Sequence, residues 1–227
     1  AIGLATILTN SRNSWACIIG SIPLVIGPKS FIWFFPSIVF IVSILLITIS
    51  QPFSGETQNL FREIIPQKIW LEFANEGIGN LKITRFEIFL SALNISKINP
   101  FFGIGAGSFP VIFEIQQNLW RGHPHNILLE LGISYGYPVV ILFFSSIITL
   151  LILSSKLVFN KKNQPNELNS FERAWWTSIF TFCFSQLFDI QYFDARLSIT
   201  SWILFCGLKL MLDENRYKTN FDYHKVN

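Results

Sequence analysis

Five stretches of this chain are apolar almost without interruption: Asn13 to Gly27, Phe31 to Ser50, about Ile133 to Ser155, Ala174 to about Ile190, and Leu197 to Leu212. In water such runs would expose far too much apolar surface. About 20 mostly apolar residues in a helix cross the hydrocarbon of a bilayer, and fewer suffice beside a neighbouring helix or in a thin membrane. Lipid is the solvent these runs fit, and the expected fold class is all-α, a polytopic transmembrane helical bundle. The first run is short, and Pro23 should kink it. Composition agrees, with 51% hydrophobic and only 14% charged residues, where a soluble domain carries about a quarter as charge.

Between Ser50 and Ile133 the chain turns polar and Gly- and Pro-containing. That length is too great for a turn, so residues 51–132 are expected to form a structured extramembrane loop within a single membrane domain over 1–227. Lys29, then Lys156, Lys161, Lys162 and Arg173, then Lys209, Arg216, Lys218 and Lys225 fall on one side if the five helices alternate. Cations near helix ends stay cytoplasmic, which makes 213–227 a cytoplasmic tail and puts the long loop on the opposite side. The loop's own cations do not upset this, because loops beyond roughly 60 residues cross largely regardless of charge. The chain opens on Ala1 inside the apolar stretch Ala1 to Leu8 and shows no signal peptide, so it is expected to be truncated at its N-terminus. The net charge of +3 comes from helix ends and is no nucleic-acid footprint. Cys17, Cys183 and Cys206 lie in apolar runs without metal-type spacing and read as small buried hydrophobes.

Within the loop, Thr84-Arg85-Phe86-Glu87 has the form of a capping box, and Phe86, Phe89, Leu90 and Leu93 recur at helical spacing. The spacing predicts an amphipathic helix lying along the membrane surface and ending near Asn99-Pro100. Gly103-Ile104-Gly105-Ala106-Gly107-Ser108-Phe109 reads either as a tight loop with close backbone approach or as a backbone nest near an anionic group. His123-Pro124-His125-Asn126 follows, just before an apolar run, which sets two imidazoles where lipid headgroups lie. They could be solvated amphipathic side chains, or they could act on a headgroup. A metal on His123 and His125 would need a partner set that the sequence does not display at ligand spacing. Arg12, at the mouth of the first helix, and Arg85 share the loop's side. Each could snorkel to headgroups alone, and together they could clamp a diphosphate. Arg121 and Arg196 fall on the same side, where Glu87, Asp189 and Asp194 could pair with them. The sequon-like Asn94-Ile95-Ser96 falls in the predicted helix and is set aside.

Thr9-Asn10-Ser11-Arg12 entering a membrane helix, Arg85 before an amphipathic helix, Asn99 to Phe109, and His125-Asn126 with Leu129 together resemble the O-antigen ligase family. The resemblance runs from Thr9 to about Leu212. It implies a multi-helix glycosyltransferase of the inner membrane with its active-site loop periplasmic. Such an enzyme takes a glycan from an undecaprenyl diphosphate carrier to an acceptor such as lipid A core, in lipopolysaccharide biosynthesis. Polymerases of the same superfamily, which extend the glycan itself, share much of the pattern. By the resemblance His125 is the catalytic residue and Arg12 and Arg85 hold the donor diphosphate, with His123, Arg121 and Asn126 as further substrate-binding candidates. Neither metal nor nucleotide nor other cofactor is implied, and the partners are the lipid-linked donor, a lipid or glycan acceptor and the membrane, with no nucleic acid.

The chemistry of the residues is consistent with that role. Glycosyl transfer needs a base for the acceptor hydroxyl, which an imidazole titrating near neutrality can be, and positive charge for the departing diphosphate. A transporter is the competing class, and it favours ionisable groups and broken helices near the bilayer midplane. Here the ionisable groups lie at helix ends or in loops, and only Pro23 interrupts a span.

Overall fold

The computed structural model describes residues 11–49, 59–60, 63, 85–160 and 166–226, and every regular element among them is helical. The α-helices are α1 (Arg12–Ile26), α2 (Phe31–Ile49), α3 (Arg85–Ser96), α4 (Ser108–Gln117), α5 (Ile127–Tyr135), α6 (Tyr137–Asn160), α7 (Asn166–Ser185) and α8 (Ala195–Val226), with a 3-10 turn at Pro28–Ser30. The chain divides into two units: Ala1–Pro28 with Arg85–Asn227, and Lys29–Thr84, which holds α2. The opening stretch Ala1 to Leu8, the Thr9-Asn10 pair, Thr84 of the expected capping box, and Lys161 and Lys162 lie outside the described residues.

Ser11 caps α1 by accepting a hydrogen bond from the Ser14 amide at 3.3 Å, one of the donors that a helix start leaves unpaired. Pro23 lies within the helix, as expected, and Gly27 ends it by donating to the Pro23 carbonyl at 3.0 Å. The two ends of α1 meet opposite ends of α7, so the two helices run antiparallel. Asn13 Nδ2 donates to the Ser185 carbonyl at 3.3 Å, while a Cβ on Gly27 would lie 2.7 Å from Arg173 Nη1.

Among the described residues, two stretches are long and apolar enough to cross a membrane, Tyr137–Phe159 in α6 and Ala195–Asn215 in α8; the apolar parts of α1 and α2, Asn13–Ile26 and Phe31–Ile44, are shorter. The apolar run expected to start its span near Ile133 is broken into α5 and α6. Gly136 causes the break: its φ of 85° is favoured by glycine, and any Cβ there would collide with the Phe101 carbonyl oxygen. The run expected to reach about Ile190 ends its helix at Ser185, because the chain then turns to bring Asp189 toward the loop. The tail expected from residue 213 continues α8 through Val226.

Helices α6, α7 and α8 share a core of Val158, Trp176, Ile179, Phe205 and Leu208. Its indoles remain satisfied: Trp176 Nε1 donates to the Leu151 carbonyl at 3.1 Å and Trp175 Nε1 to that of Leu204 at 2.9 Å. A second, smaller cluster of Ile127, Leu131 and Val140 gathers Phe143, Leu187, Ile190 and Tyr192, joining α5 and α6 to the segment after α7. Over α5 lie α3 and α4, through Ile88, Ala92, Ile95, Phe109 and Phe113, all buried. The helix expected from the Phe86, Phe89, Leu90, Leu93 stripe is present, but the opposite stripe of Ile88, Ala92 and Ile95 is the one that packs inward. Phe86, Phe89 and Leu90 stay exposed.

Candidate active site

Everything at the candidate site hangs on the chain between α7 and α8. Its backbone carbonyls, at and beyond the point where α7 stops, accept hydrogen bonds from the residues that open three other helices. The Ser185 carbonyl takes Asn13 of α1. The Leu187 carbonyl takes Asn126 Nδ2 at 3.0 Å, ahead of α5, and the Phe188 carbonyl takes Arg85 Nη1 at 3.4 Å, from the start of α3. Gln186, buried, braces the segment: its Oε1 accepts from the amides of Gln191 and Tyr192 at 2.9 and 3.1 Å. The Gln186 carbonyl in turn accepts from the Ile127 amide at 3.0 Å.

Asn126 is also the cap of α5, its Oδ1 accepting from the Leu129 amide at 3.1 Å. Both ends of its amide are thus engaged by protein, which makes it a structural joint between α5 and the α7–α8 segment. Just before it, His125 adopts φ of 56°, a left-handed conformation that costs a non-glycine residue on the order of 1–3 kcal/mol and persists only when its surroundings hold it. Its surroundings do so from two sides. The His125 amide donates to His123 Nδ1 at 3.3 Å, and Nδ1 of its ring lies 3.1 Å from Asp189 Oδ1. A carboxylate can only accept, so the proton of that bond sits on Nδ1 of His125, and in the neutral ring Nε2 keeps its lone pair. The half-exposed Asp189 is itself steadied by the Ile190 amide, 3.1 Å from the same oxygen.

His123 completes the cluster, its ring 4.4 Å from that of His125 between centroids and inclined at 72°. Because His123 Nδ1 accepts from the His125 amide, its neutral ring carries the proton on Nε2, 4.0 Å from Asp189 Oδ1. Burial above all, then His125, lowers the pKa of His123 below the ordinary histidine value; Asp189 opposes this, and Arg85 adds a smaller push downward. The 4.0 Å approach to Asp189 is therefore a contact of a neutral ring at pH 7 and above, not an ion pair. One ligand atom from each of His123, His125 and Asp189 lies within 4.8 Å of the others, a set that could hold a divalent cation. The 3.1 Å spacing of His125 and Asp189 is also that of a hydrogen bond.

Of the residues singled out in the sequence, the fold brings His123, His125, Asn126 and Arg85 to the α7–α8 segment. Arg12 opens α1, one residue before Asn13, which reaches that same segment; the side chain of Arg12 lies outside what the structure describes. Arg121, half-buried, sits two residues ahead of His123, with its Nε buried and without a hydrogen-bond partner among the described residues. One expectation changes. Asp189, considered as a partner for Arg121 or Arg196, meets His125, because the turn after Ser185 aims it there. Arg196 pairs with Asp194, one of the partners considered for it, at 2.9 Å, exposed at the start of α8. Gln186 and Asp189 were the residues that spacing could not reveal as site members, since Asp189 reaches His125, and the Gln186 carbonyl the Ile127 amide, across some 60 residues of chain.

The glycine-rich stretch is a tight loop at the other end of α5. Gly103, Gly105 and Gly107 have φ of 70°, 104° and 74°, and a Cβ on Gly103 would come within 2.6 Å of the Ser134 backbone. The amides of Ile104 and Gly105 are occupied within the protein, donating to Ile133 at 2.7 Å and to Ser134 at 3.2 Å. The loop thereby clasps the C-terminus of α5.

Among the described residues this protein is all-helical, with a histidine–aspartate pair held at the junction of several helix ends. The family model described as O-antigen ligase matches residues 1–144, more than half of the chain, and the chain belongs to that family. The match contains Arg12, Arg85, Arg121, His123, His125 and Asn126, and stops short of Asp189. No curated protein and no solved structure matches the chain. Membership supports a membrane-associated, glycosyltransferase-like enzyme of the ligase and polymerase kind, working on lipid-linked glycans.

Proposed function

We propose that the chain carries the catalytic loop of a glycosyltransferase at the periplasmic face of the inner membrane, moving a glycan from undecaprenyl diphosphate to an acceptor such as lipid A core. The observation that carries this reading is the 3.1 Å contact between His125 Nδ1 and Asp189 Oδ1. It leaves Nε2 as the free base and provides an anion to stabilise the imidazolium that forms.

In the proposed reaction the acceptor hydroxyl gives its proton to His125 Nε2 as its oxygen bonds to the anomeric carbon. The anomeric C–O bond to the diphosphate breaks, and its electrons leave on the diphosphate. Arg85, exposed beside the cluster, and Arg12, at the start of α1, are the cations that would offset the growing negative charge, with Arg121 as a third. Such charges act most strongly where low-dielectric surroundings reduce screening. No step requires a metal.

The test uses the full-length protein with an undecaprenyl diphosphate-linked glycan and lipid A core, in the presence of a chelator. Wild type should transfer glycan, and His125→Ala and Arg85→Ala should each abolish transfer while the protein remains in the membrane. Near-normal glycan on lipid A core in either variant sinks the assignment. Glycan elongation without lipid A attachment would point to the polymerase instead.

A further inference from the structure

The tip of the chain between α3 and the glycine loop is unlike a surface that faces water. Phe102 is 84% exposed, Phe101 70% and Ile98 61%, three large apolar side chains within five residues, with Lys97 beside them. The tip is also fastened in place. The Pro100 carbonyl accepts from the Tyr137 amide at 2.8 Å, the Ser96 and Tyr137 hydroxyls meet at 2.7 Å, and Gly136 packs against the Phe101 carbonyl. Tyr137 is the first residue of the stretch Tyr137–Phe159, which is long and apolar enough to cross a membrane.

That bond sets the depth of the tip. If α6 crosses the bilayer, Tyr137 enters it at the interface, where amphipathic aromatic rings favour residence, and the backbone of Pro100 and Phe101 lies at the same height. Apolar exposure continues down α6 at Val139, Ile141 and Leu142. Lys97 can reach back to headgroup phosphates while its stem stays in apolar surroundings. Water would be the poorest neighbour for such a surface.

We propose that Ile98, Phe101 and Phe102 form a wedge inserted into the lipid of the leaflet that α6 enters on the catalytic side. The wedge's partner is the acyl-chain boundary of a bilayer. It rests on the membrane reading of the preceding section and adds a mechanical consequence. The loop that follows the wedge clasps one end of α5, and the other end of α5 carries His125, so the wedge sets the position of the base relative to the leaflet in which a lipid-linked donor is held.

The experiment places a single cysteine, at Phe102→Cys or Phe101→Cys, in full-length protein whose free cysteines Cys17, Cys183 and Cys206 are replaced by serine. A nitrobenzoxadiazole label is attached, and the protein is reconstituted into phosphatidylcholine and phosphatidylglycerol vesicles. Ile148→Cys, in the middle of α6, serves as the reference for bilayer depth. Blue-shifted emission at position 102, lost on exchange into lipids brominated on their acyl chains and insensitive to iodide, is the expected result. Quenching by iodide would put the tip in water and overturn the wedge. Shielding from both quenchers would put a protein there and overturn it equally. If Ile148→Cys also fails to respond to brominated lipid, α6 does not cross the bilayer and the membrane reading itself falls; if Ile148→Cys responds and Phe102→Cys does not, only the wedge falls.

Discussion

The helix core of α6, α7 and α8 and the junction around the α7–α8 segment are built on different principles. In the core, Val158, Trp176, Ile179, Phe205 and Leu208 interdigitate between regular helices, and each helix satisfies its own backbone. At the junction the backbone is irregular, and single hydrogen bonds from Asn13, Arg85 and Asn126 tie helix starts to carbonyls that no helix uses. A packed core spreads its stability over many weak contacts and tolerates changes that conserve volume. A junction of individual bonds has few substitutes for any one of them. The proposed catalytic geometry belongs to the second kind of construction, in which one atom exchanged should matter more than several carbons removed.

The sharpest way to break that comparison is Asp189→Asn. The amide can donate as well as accept, so it no longer requires the Nδ1–H tautomer of His125. Transfer should fall roughly 10³-fold, within the range that a positioned base contributes, with thermal unfolding in detergent nearly unchanged. Loss of the fold in this variant would mean that the pair is structural. The converse test is Trp176→Ala in the core, which should lower stability by about 2 kcal/mol. That is less than the usual cost in water-soluble proteins, because lipid replaces water as the reference and mainly the packing loss remains. Turnover of the folded fraction should persist; an inactive but fully folded Trp176→Ala protein would contradict the division between the two regions.

A smaller effect is expected at Asn126→Ala, where a cap worth about 1 kcal/mol disappears together with the bond to Leu187. Transfer should fall more than stability does, since His125 precedes the cap directly. Equal loss in both would show Asn126 to be only a cap. The smallest effect concerns pH. The folded pKa of His123 is lowered from the ordinary 6.5, so between the two values the unfolded chain binds more protons than the folded one. The contribution to stability is fully present above 6.5 and is lost as pH falls through that value toward the lower folded pKa. His123→Gln should flatten the pH dependence of the unfolding temperature in that window, and an unchanged slope would assign it to other groups.

Much of this could be read along the chain. The apolar runs located α1, α2 and most of α6, α7 and α8; the Gly-rich segment was a tight loop; and His125, Asn126 and Arg85 do gather at one place. The misses share one cause. Helical spacing identified α3 but selected the stripe at Phe86 and Leu90 as its apolar face, whereas Ile88 and Ala92 are buried, because a helix apolar on two sides does not reveal which side meets protein. The run from Ile127 onward looked continuous because hydropathy does not register Gly136, whose positive φ and contact with Phe101 end α5. Asp189 was read as a partner for arginine because charge alone gives no direction.

By itself the sequence determined what depends on composition and short range: helical class, the places where apolar length suits lipid, the glycines that permit left-handed turns, and the residue types able to act as base and cation. Only the tertiary structure decided which of them meet. Asp189 stands 64 residues from His125, and no local periodicity encodes such a pairing. It arises where α7 ends and the carbonyls at and beyond its end accept the donors that three other helix starts supply.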